Sequence, residues 1–111
     1  IYTSGSTGRP KGTLITQRGL LNYLNWTYQA YPLQEGRGSL VHSTIAFDAT
    51  VTAVFTPLIS GKTVTLIADD ADLEGLANAL RRYGDFSAVK ITPAHLDLLA
   101  GQVEPQEAAG M

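Results

Sequence analysis

Hydroxyl groups, glycines and two cations are concentrated in the first twelve residues, Ile1-Tyr2-Thr3-Ser4-Gly5-Ser6-Thr7-Gly8-Arg9-Pro10-Lys11-Gly12. The glycines allow positive φ angles and a close approach of the backbone to a ligand. Free amides and hydroxyls in such a loop can donate hydrogen bonds to anionic oxygens, and the cations add charge. The pattern indicates a phosphate-binding loop, although composition alone also allows a flexible surface connection. The candidate ligand-binding residues are Thr3, Ser4, Gly5, Ser6, Thr7, Gly8, Lys11 and Gly12.

Two common nucleotide-binding motifs do not fit this stretch. The pattern G-x-x-x-x-G-K-[ST] would need glycine at Pro10 if it started at Gly5, and glycine at Thr13 if it started at Gly8. A G-x-G-x-x-G pattern is missing from it as well.

A second candidate group is Phe47-Asp48-Ala49-Thr50-Val51-Thr52. Asp48 precedes a run of apolar residues with helical spacing, so its plainest role is that of a helix N-cap. Thr52 comes four residues later and shares a helical face with Asp48.

Strands and helices alternate along the rest of the chain. Thr16 can cap a helix whose apolar face carries Leu20, Leu21, Leu24, Tyr28 and Tyr31 and which ends near Pro32. We predict further strands at Ser39–Thr44, Thr63–Ala68 and Ala88–Ile91, and helices from Asp48 to Gly61, from Leu73 to Tyr83 and from Thr92-Pro93 through Leu99. This order predicts an α/β fold with a mainly parallel sheet and right-handed crossovers.

Composition limits the possible settings of the protein. The 111 residues are 44% hydrophobic with a net charge of −2, enough for one compact unit. The chain begins in what reads as a buried strand and ends without a closing element, so we expect a fragment truncated at both ends. Because it has no cysteine, no charged-then-apolar leader, no bilayer-length apolar run and no basic stripe, we expect a cytoplasmic protein that binds neither membrane nor nucleic acid.

The other polar residues offer little chemistry. Asp69, Asp70 and Asp72 read as solvated charges at a helix start rather than as a metal site. His42 reads as a strand residue and His95 as a first-turn surface residue, and neither has a nucleophile or carboxylate at catalytic spacing.

The opening string Tyr-Thr-Ser-Gly-Ser-Thr-Gly-Arg-Pro-Lys-Gly resembles the signature loop of the adenylate-forming (AMP-binding) superfamily. The Phe-Asp-Ala-Thr string resembles the Phe-Asp-Ala-Ser motif of adenylation domains in nonribosomal peptide synthetases, with Thr50 in place of serine. The resemblance implies that residues 1–111 are part of the large N-terminal subdomain of such a domain. It also implies ATP and Mg²⁺ as cofactors, an amino-acid substrate, and carrier and condensation domains as partners.

The resemblance assigns roles to individual residues. Lys11 would act on the ATP phosphates as the catalytic cation, and Asp48 would bind the α-ammonium of the amino acid. Phe47 and Thr52 would contact the substrate, with Thr52 lining its side-chain pocket. A carboxylate has two oxygens, so capping and ammonium binding by Asp48 are compatible.

The resemblance to amino-acid-activating domains leaves two alternatives open. An acyl-CoA or aryl-acid ligase of the same superfamily has no α-ammonium to neutralise, so Asp48 argues against it. A non-catalytic α/β remnant would bind no ATP. The adenine- and ribose-binding motifs and the C-terminal lysine of the family lie outside this sequence, so we expect the chain alone to be inactive.

Overall fold

The computed structural model describes residues 1–3, 8–33, 35–68 and 72–103. Its elements, in chain order, are β1 (Tyr2–Thr3), β2 (Lys11–Gly12), α1 (Gln17–Ala30), β3 (Gly38–Val41), α2 (Ala49–Ile59), β4 (Thr63–Leu66), α3 (Leu73–Tyr83), β5 (Ala88–Val89) and α4 (Pro93–Ala100). The alternation of strands and helices predicted from the sequence is confirmed. The strands β3, β4 and β5 are shorter than predicted, each losing residues at its carboxyl end.

A three-stranded parallel sheet in the order β4-β3-β5 forms the centre of the fold. All four residues of β3 are buried, and they pair with β4 from Gly38 opposite Thr63 to Val41 opposite Leu66. On its other side β3 pairs with β5, with Ser39 opposite Ala88 and Leu40 opposite Val89. The predicted α/β class with a mainly parallel sheet is therefore confirmed.

Helices cover both faces of this sheet, because successive side chains of a strand point to opposite sides. Ser39 faces α2, where its hydroxyl donates a hydrogen bond to the carbonyl of Ala53. Leu40 faces α3 and belongs to the main core, which consists of Leu40, Leu76, Ala77, Ala79, Leu80, Phe86 and Leu99. The helix α1 packs on α2, and α4 packs on α3.

The strands β1 and β2 form a separate antiparallel hairpin, with Tyr2 opposite Gly12 and Thr3 opposite Lys11. The expectation of a buried strand at the start of the chain is wrong for these residues, since both strands are exposed and Tyr2 is 70% exposed. The physical reason is that, among the described strands, β1 pairs only with β2, in a sheet separate from the central one.

Within the described residues, the longest helix is α1 with 14 residues, and none is long and apolar enough to cross a membrane. These residues also contain no cluster of three or more His, Cys, Asp or Glu side chains arranged to hold a metal ion. Asp72, one of the three predicted solvated acidic residues, caps α3, whereas Asp69 and Asp70 lie outside the described residues.

Candidate functional site

The hairpin holds the two ends of the predicted phosphate loop together. Thr3 and Lys11 are partners in the ladder, and the amide of Thr13 donates to the carbonyl of Ile1 at 2.8 Å. Gly8 has a φ of +76°, the left-handed conformation that a glycine-rich loop requires, and a Cβ there would meet nothing within 4 Å. Gly12 is part of the strand β2 rather than of such a turn. The predicted ligands Ser4, Gly5, Ser6 and Thr7 lie outside the described residues.

A cleft of about 680 Å³ lies between the residues that flank this hairpin and the second predicted group. Ile1, Thr13 and Ile15 line one side of it, and Asp48 and Val51 line the other. Residues at the base of the hairpin and residues of the second group, which are well separated in sequence, therefore border one cavity, although the described loop residues Thr3, Gly8, Lys11 and Gly12 do not line it. Lys11 itself is exposed and does not line the cleft.

Asp48 occupies the residue before α2, but its side chain does not cap the helix, so that prediction is wrong. Its backbone is already helical, with φ −61° and ψ −32°, whereas a capping aspartate needs an extended backbone. A turn precedes the helix and satisfies its first amides through the main chain. Thr50 N donates to the carbonyl of Phe47 at 3.1 Å, and Val51 N donates to that of Asp48 at 3.0 Å. The Asp48 carboxylate is thus exposed and unused by the helix.

A second polar group lies one helical turn further along α2. The hydroxyl of Thr52 is 2.6 Å from that of Tyr23 on α1, and it accepts a hydrogen bond from Lys90 Nζ at 3.3 Å. We call these three residues the Thr52 cluster. Thr52 and Lys90 also line a smaller cavity of about 280 Å³ beside the cleft.

Lys90 is the residue that sequence reasoning missed. It follows β5 directly and lines both the cleft and the smaller cavity. Ligands of parallel α/β sheets bind at the carboxyl ends of the strands, and Lys90 and the segment leading to Asp48 follow the adjacent strands β5 and β3. A lysine between Val89 and Ile91 was the signal in the sequence, because a charge breaks an otherwise apolar run.

Phe47 lies apart from the Thr52 cluster. It is 53% exposed and lines a third cavity of about 470 Å³, together with His42 and His95. Lys90 also borders this cavity, so it shares a cavity with each of the predicted substrate residues Phe47, Asp48 and Thr52, while those three residues do not share one cavity.

The two histidines meet in this third cavity, a contact that their spacing did not predict. Their rings are 5.2 Å apart in an edge-to-face arrangement. Burial, together with the charge that His95 can carry, lowers the pKa of His42 below 6.5. The Nδ1 atom of His42 is buried without a hydrogen-bond partner among the described residues, whereas Nδ1 of His95 is 2.8 Å from Thr92 Oγ1. His42 lies just after β3 rather than in a strand.

Comparison with known proteins gives matches along most of the chain. The model of the AMP-binding enzyme family matches residues 1–110. Bacitracin synthase 3 of Bacillus licheniformis is 48% identical over 99 residues, covering 89% of this chain and 2% of that protein. Tyrocidine synthase 3 of Brevibacillus parabrevis is 40% identical over 99 residues, covering 89% and 2%. A dimodular nonribosomal peptide synthase of Bacillus subtilis (strain 168) is 34% identical over 113 residues, covering 100% and 5%.

The chain therefore spans only a few per cent of the length of these relatives, between 2% and 5%. No solved structure matches it. The family match extends over both the hairpin and the Asp48 segment. The chain belongs to the AMP-binding enzyme family, and the relatives it matches are named as synthases of bacitracin and tyrocidine and as a dimodular nonribosomal peptide synthase.

Proposed function

We propose that this chain is a segment of an amino-acid-activating adenylation domain in a nonribosomal peptide synthetase. The observation that carries the proposal is the cleft that Asp48 shares with Ile1 and Thr13, the hydrogen-bonded residues at the base of the phosphate-loop hairpin. An enzyme that couples ATP to an amino acid must hold a polyphosphate and an α-ammonium side by side. The relatives are synthetases of peptides, which supports an amino acid as the substrate.

In the proposed reaction, a carboxylate oxygen of the amino acid attacks the α-phosphorus of ATP. The bond from that phosphorus to the bridging oxygen breaks, and pyrophosphate leaves. The thiolate of a carrier-bound phosphopantetheine then attacks the acyl carbon, forming a thioester and releasing AMP. Carrier and condensation domains of the same synthetase are the proposed partners.

The loop residues would position and stabilise the phosphates. Phosphoryl transfer depends mainly on positioning and on neutralisation of the developing charge. Gly8 provides the left-handed turn, and Lys11 provides a cation at the end of the loop. Mg²⁺ usually binds through substrate phosphates with few protein carboxylates, which is compatible with the lack of an acidic cluster in the described residues.

Asp48 would pair with the α-ammonium. Its carboxylate borders the cleft and is not used in capping, so both of its oxygens can accept hydrogen bonds from a bound ligand. Once the substrate excludes water, removal of one member of such an ion pair costs roughly 3 to 5 kcal/mol. This pairing distinguishes an amino acid from a fatty or aryl acid.

The test is amino-acid-dependent exchange of labelled pyrophosphate into ATP by the complete domain that contains this segment. We expect exchange with free amino acids, and loss of about 100-fold or more in kcat/KM for the amino acid in Asp48→Asn. Equal exchange with the corresponding acid lacking the amine would instead indicate an acyl or aryl-acid ligase. No ATP binding at all would indicate a non-catalytic module.

A further inference from the structure

The segment between β3 and α2, residues 42–48, carries Asp48 to the border of the cleft. Residues 44–48 are all exposed, so packing against the core does not fix the direction of the Asp48 side chain. A carboxylate that pairs with an α-ammonium has to be held in one position by the contacts around it. The shape of this segment must therefore come from hydrogen bonds.

Thr50, in the first turn of α2, supplies two of these hydrogen bonds. Its side chain is 2% exposed, and its hydroxyl donates to the carbonyl of Thr44 at 2.8 Å. The same hydroxyl oxygen is 2.8 Å from the hydroxyl of Ser43. Because a hydroxyl has only one hydrogen to donate, Ser43 is the donor in this second contact. The side chain of Thr50 thus closes a loop of residues 44–50, with Asp48 inside it.

The main chain of the loop uses the same anchor. The Thr44 carbonyl that accepts from Thr50 also accepts from the amide of Phe47 at 3.0 Å. The turn at residues 44–47 and the start of α2 are therefore tied to one carbonyl. Asp48 lies between them, with the helical backbone that keeps its carboxylate out of the capping position. Without the Thr50 hydroxyl, the Thr44 carbonyl would keep the Phe47 amide alone.

Resting on the function proposed above, we propose that Thr50 is a positioning residue that holds the Asp48 carboxylate in place for the α-ammonium of the amino acid. Thr50 lines none of the three cavities, so it acts through Asp48 and does not touch the substrate. A β-branched side chain has few χ1 rotamers, which keeps the hydroxyl directed at the loop. A merely structural role for Thr50 would lower stability without a selective effect on amino-acid binding.

The experiment measures pyrophosphate exchange by the complete domain, with one substrate saturating and the other varied. Each proteinogenic amino acid is tried with the native domain, and the one that gives the fastest exchange is used. Thr50→Val keeps the shape of the side chain and removes its hydroxyl. It should raise KM for that amino acid about 10-fold, as for the loss of two neutral hydrogen bonds of modest net strength, and should leave KM for ATP unchanged. Thr50→Ser keeps the hydroxyl and should restore the native KM.

Thr27→Val is the matched control. Thr27 is also a buried threonine whose hydroxyl donates to a carbonyl, that of Leu24 at 2.8 Å, and it lines none of the three cavities. This change should lower the resistance to urea and leave both KM values unaltered. Ser43→Ala removes one of the two Thr50 contacts from the other side, and it should raise KM for the amino acid about 3-fold.

Equal rises in KM for the amino acid and for ATP in Thr50→Val would overturn the positioning role, as would a Thr50→Ser variant that is as impaired as Thr50→Val. An unchanged KM for the amino acid in Thr50→Val, or in Ser43→Ala if Thr50→Val does not fold, would overturn it too. These outcomes leave the proposed function standing, because the native domain still exchanges with an amino acid. A native domain that exchanges with no amino acid would overturn the proposed function itself, and this inference with it.

Discussion

Asp48 and Asp72 precede helices in the sequence, yet only one of them caps. Asp72 has an extended backbone, with φ −73° and ψ −173°, and its Oδ1 accepts from Gly75 N at 3.0 Å. Asp48 has a helical backbone and makes no capping hydrogen bond. The first amides of α2 are satisfied by the preceding turn, so the Asp48 carboxylate takes no part in capping.

The first prediction separates these two roles by stability. Asp72→Ala should lower the free energy of unfolding by about 1 kcal/mol, because the helix loses a cap. Asp48→Ala should change it by no more than about 0.5 kcal/mol, as for an ordinary surface position. Urea unfolding followed by circular dichroism measures both values, and equal losses in the two variants would contradict the assignment.

The second prediction concerns His42. Its pKa is lowered by burial and by His95, so the folded protein resists protonation and the unfolded chain binds more protons. The free energy of unfolding should therefore be level above pH 6.5 and fall as the pH drops below that value towards the lowered pKa. Asp72 and Lys90 are the other charged residues that border this cavity.

Unfolding measured at pH 7.5 and pH 5.5 tests this dependence. His42→Gln should flatten it, and His95→Gln should reduce it by removing the neighbouring positive charge. A pH dependence that survives unchanged in His42→Gln would show that another group is responsible.

Residue roles could be predicted where the partner is local in sequence. Thr16 caps α1 as expected, by accepting from the amide three residues ahead, and Thr92 makes the same contact at the predicted start of α4. Lys90 could not be assigned, because its partner Thr52 is far away in sequence. Asp48 does not cap α2 because the turn before the helix gives Asp48 a helical backbone. The capping preferences of amino acids do not predict that turn.

Elements were predictable where one periodicity dominates. The helix α1 was placed almost to the residue, but its buried face differs from the apolar stripe. Leu24 and Thr27 are buried, whereas Leu21 is 56% exposed. Thr27 can face the core because its hydroxyl donates to the carbonyl of Leu24 at 2.8 Å and contacts Thr56 at 3.3 Å. Satisfied polar groups are compatible with burial, and hydrophobic spacing alone does not reveal them.

The third prediction tests how β3 and β4 fit together. Gly38 has a φ of +131°, and a Cβ there would lie 2.0 Å from the carbonyl oxygen of Thr63. Gly38→Ala must therefore displace β4 and strain the backbone, so we expect a loss of at least about 2 kcal/mol in unfolding free energy. Gly61→Ala is the control, since its φ is +67° but its Cβ would meet nothing within 4 Å.

In the control, only the cost of the left-handed conformation applies, about 1 kcal/mol. Urea unfolding compares the two variants with the native chain. If Gly61→Ala were as destabilising as Gly38→Ala, the close approach to Thr63 would not be the cause.

At the scale of the whole molecule, the class of fold was predictable and the arrangement was not. Alternating strands and helices imply a parallel sheet, but they do not say that β3 lies between β4 and β5. That order brings the ends of β3 and β5 side by side and so places Lys90 near the α2 residues. The cleft between the hairpin and α2 likewise arises from packing between distant segments, which local pattern does not encode.

The last prediction tests whether the hairpin binds the ATP phosphates while α2 binds the amino acid. Lys11 is exposed on the hairpin and lines none of the three cavities, whereas Asp48, Thr52 and Lys90 border them. If the hairpin binds phosphates and α2 binds the amino acid, Lys11→Ala in the complete domain should raise the KM for ATP or lower kcat. Loss of one charge-assisted hydrogen bond corresponds to about a 10- to 100-fold effect on kcat/KM for ATP.

The order of preference among amino acids should stay the same in Lys11→Ala, because the change leaves the α2 side of the cleft intact. Arg18→Ala is a suitable control, since Arg18 is an exposed cation on α1 that does not line the cleft. Pyrophosphate exchange at varied ATP, repeated with several amino acids, measures both properties in one assay. A changed amino-acid preference in Lys11→Ala would mean that the hairpin cation acts on the amino-acid side of the cleft, and the phosphate assignment would then be wrong.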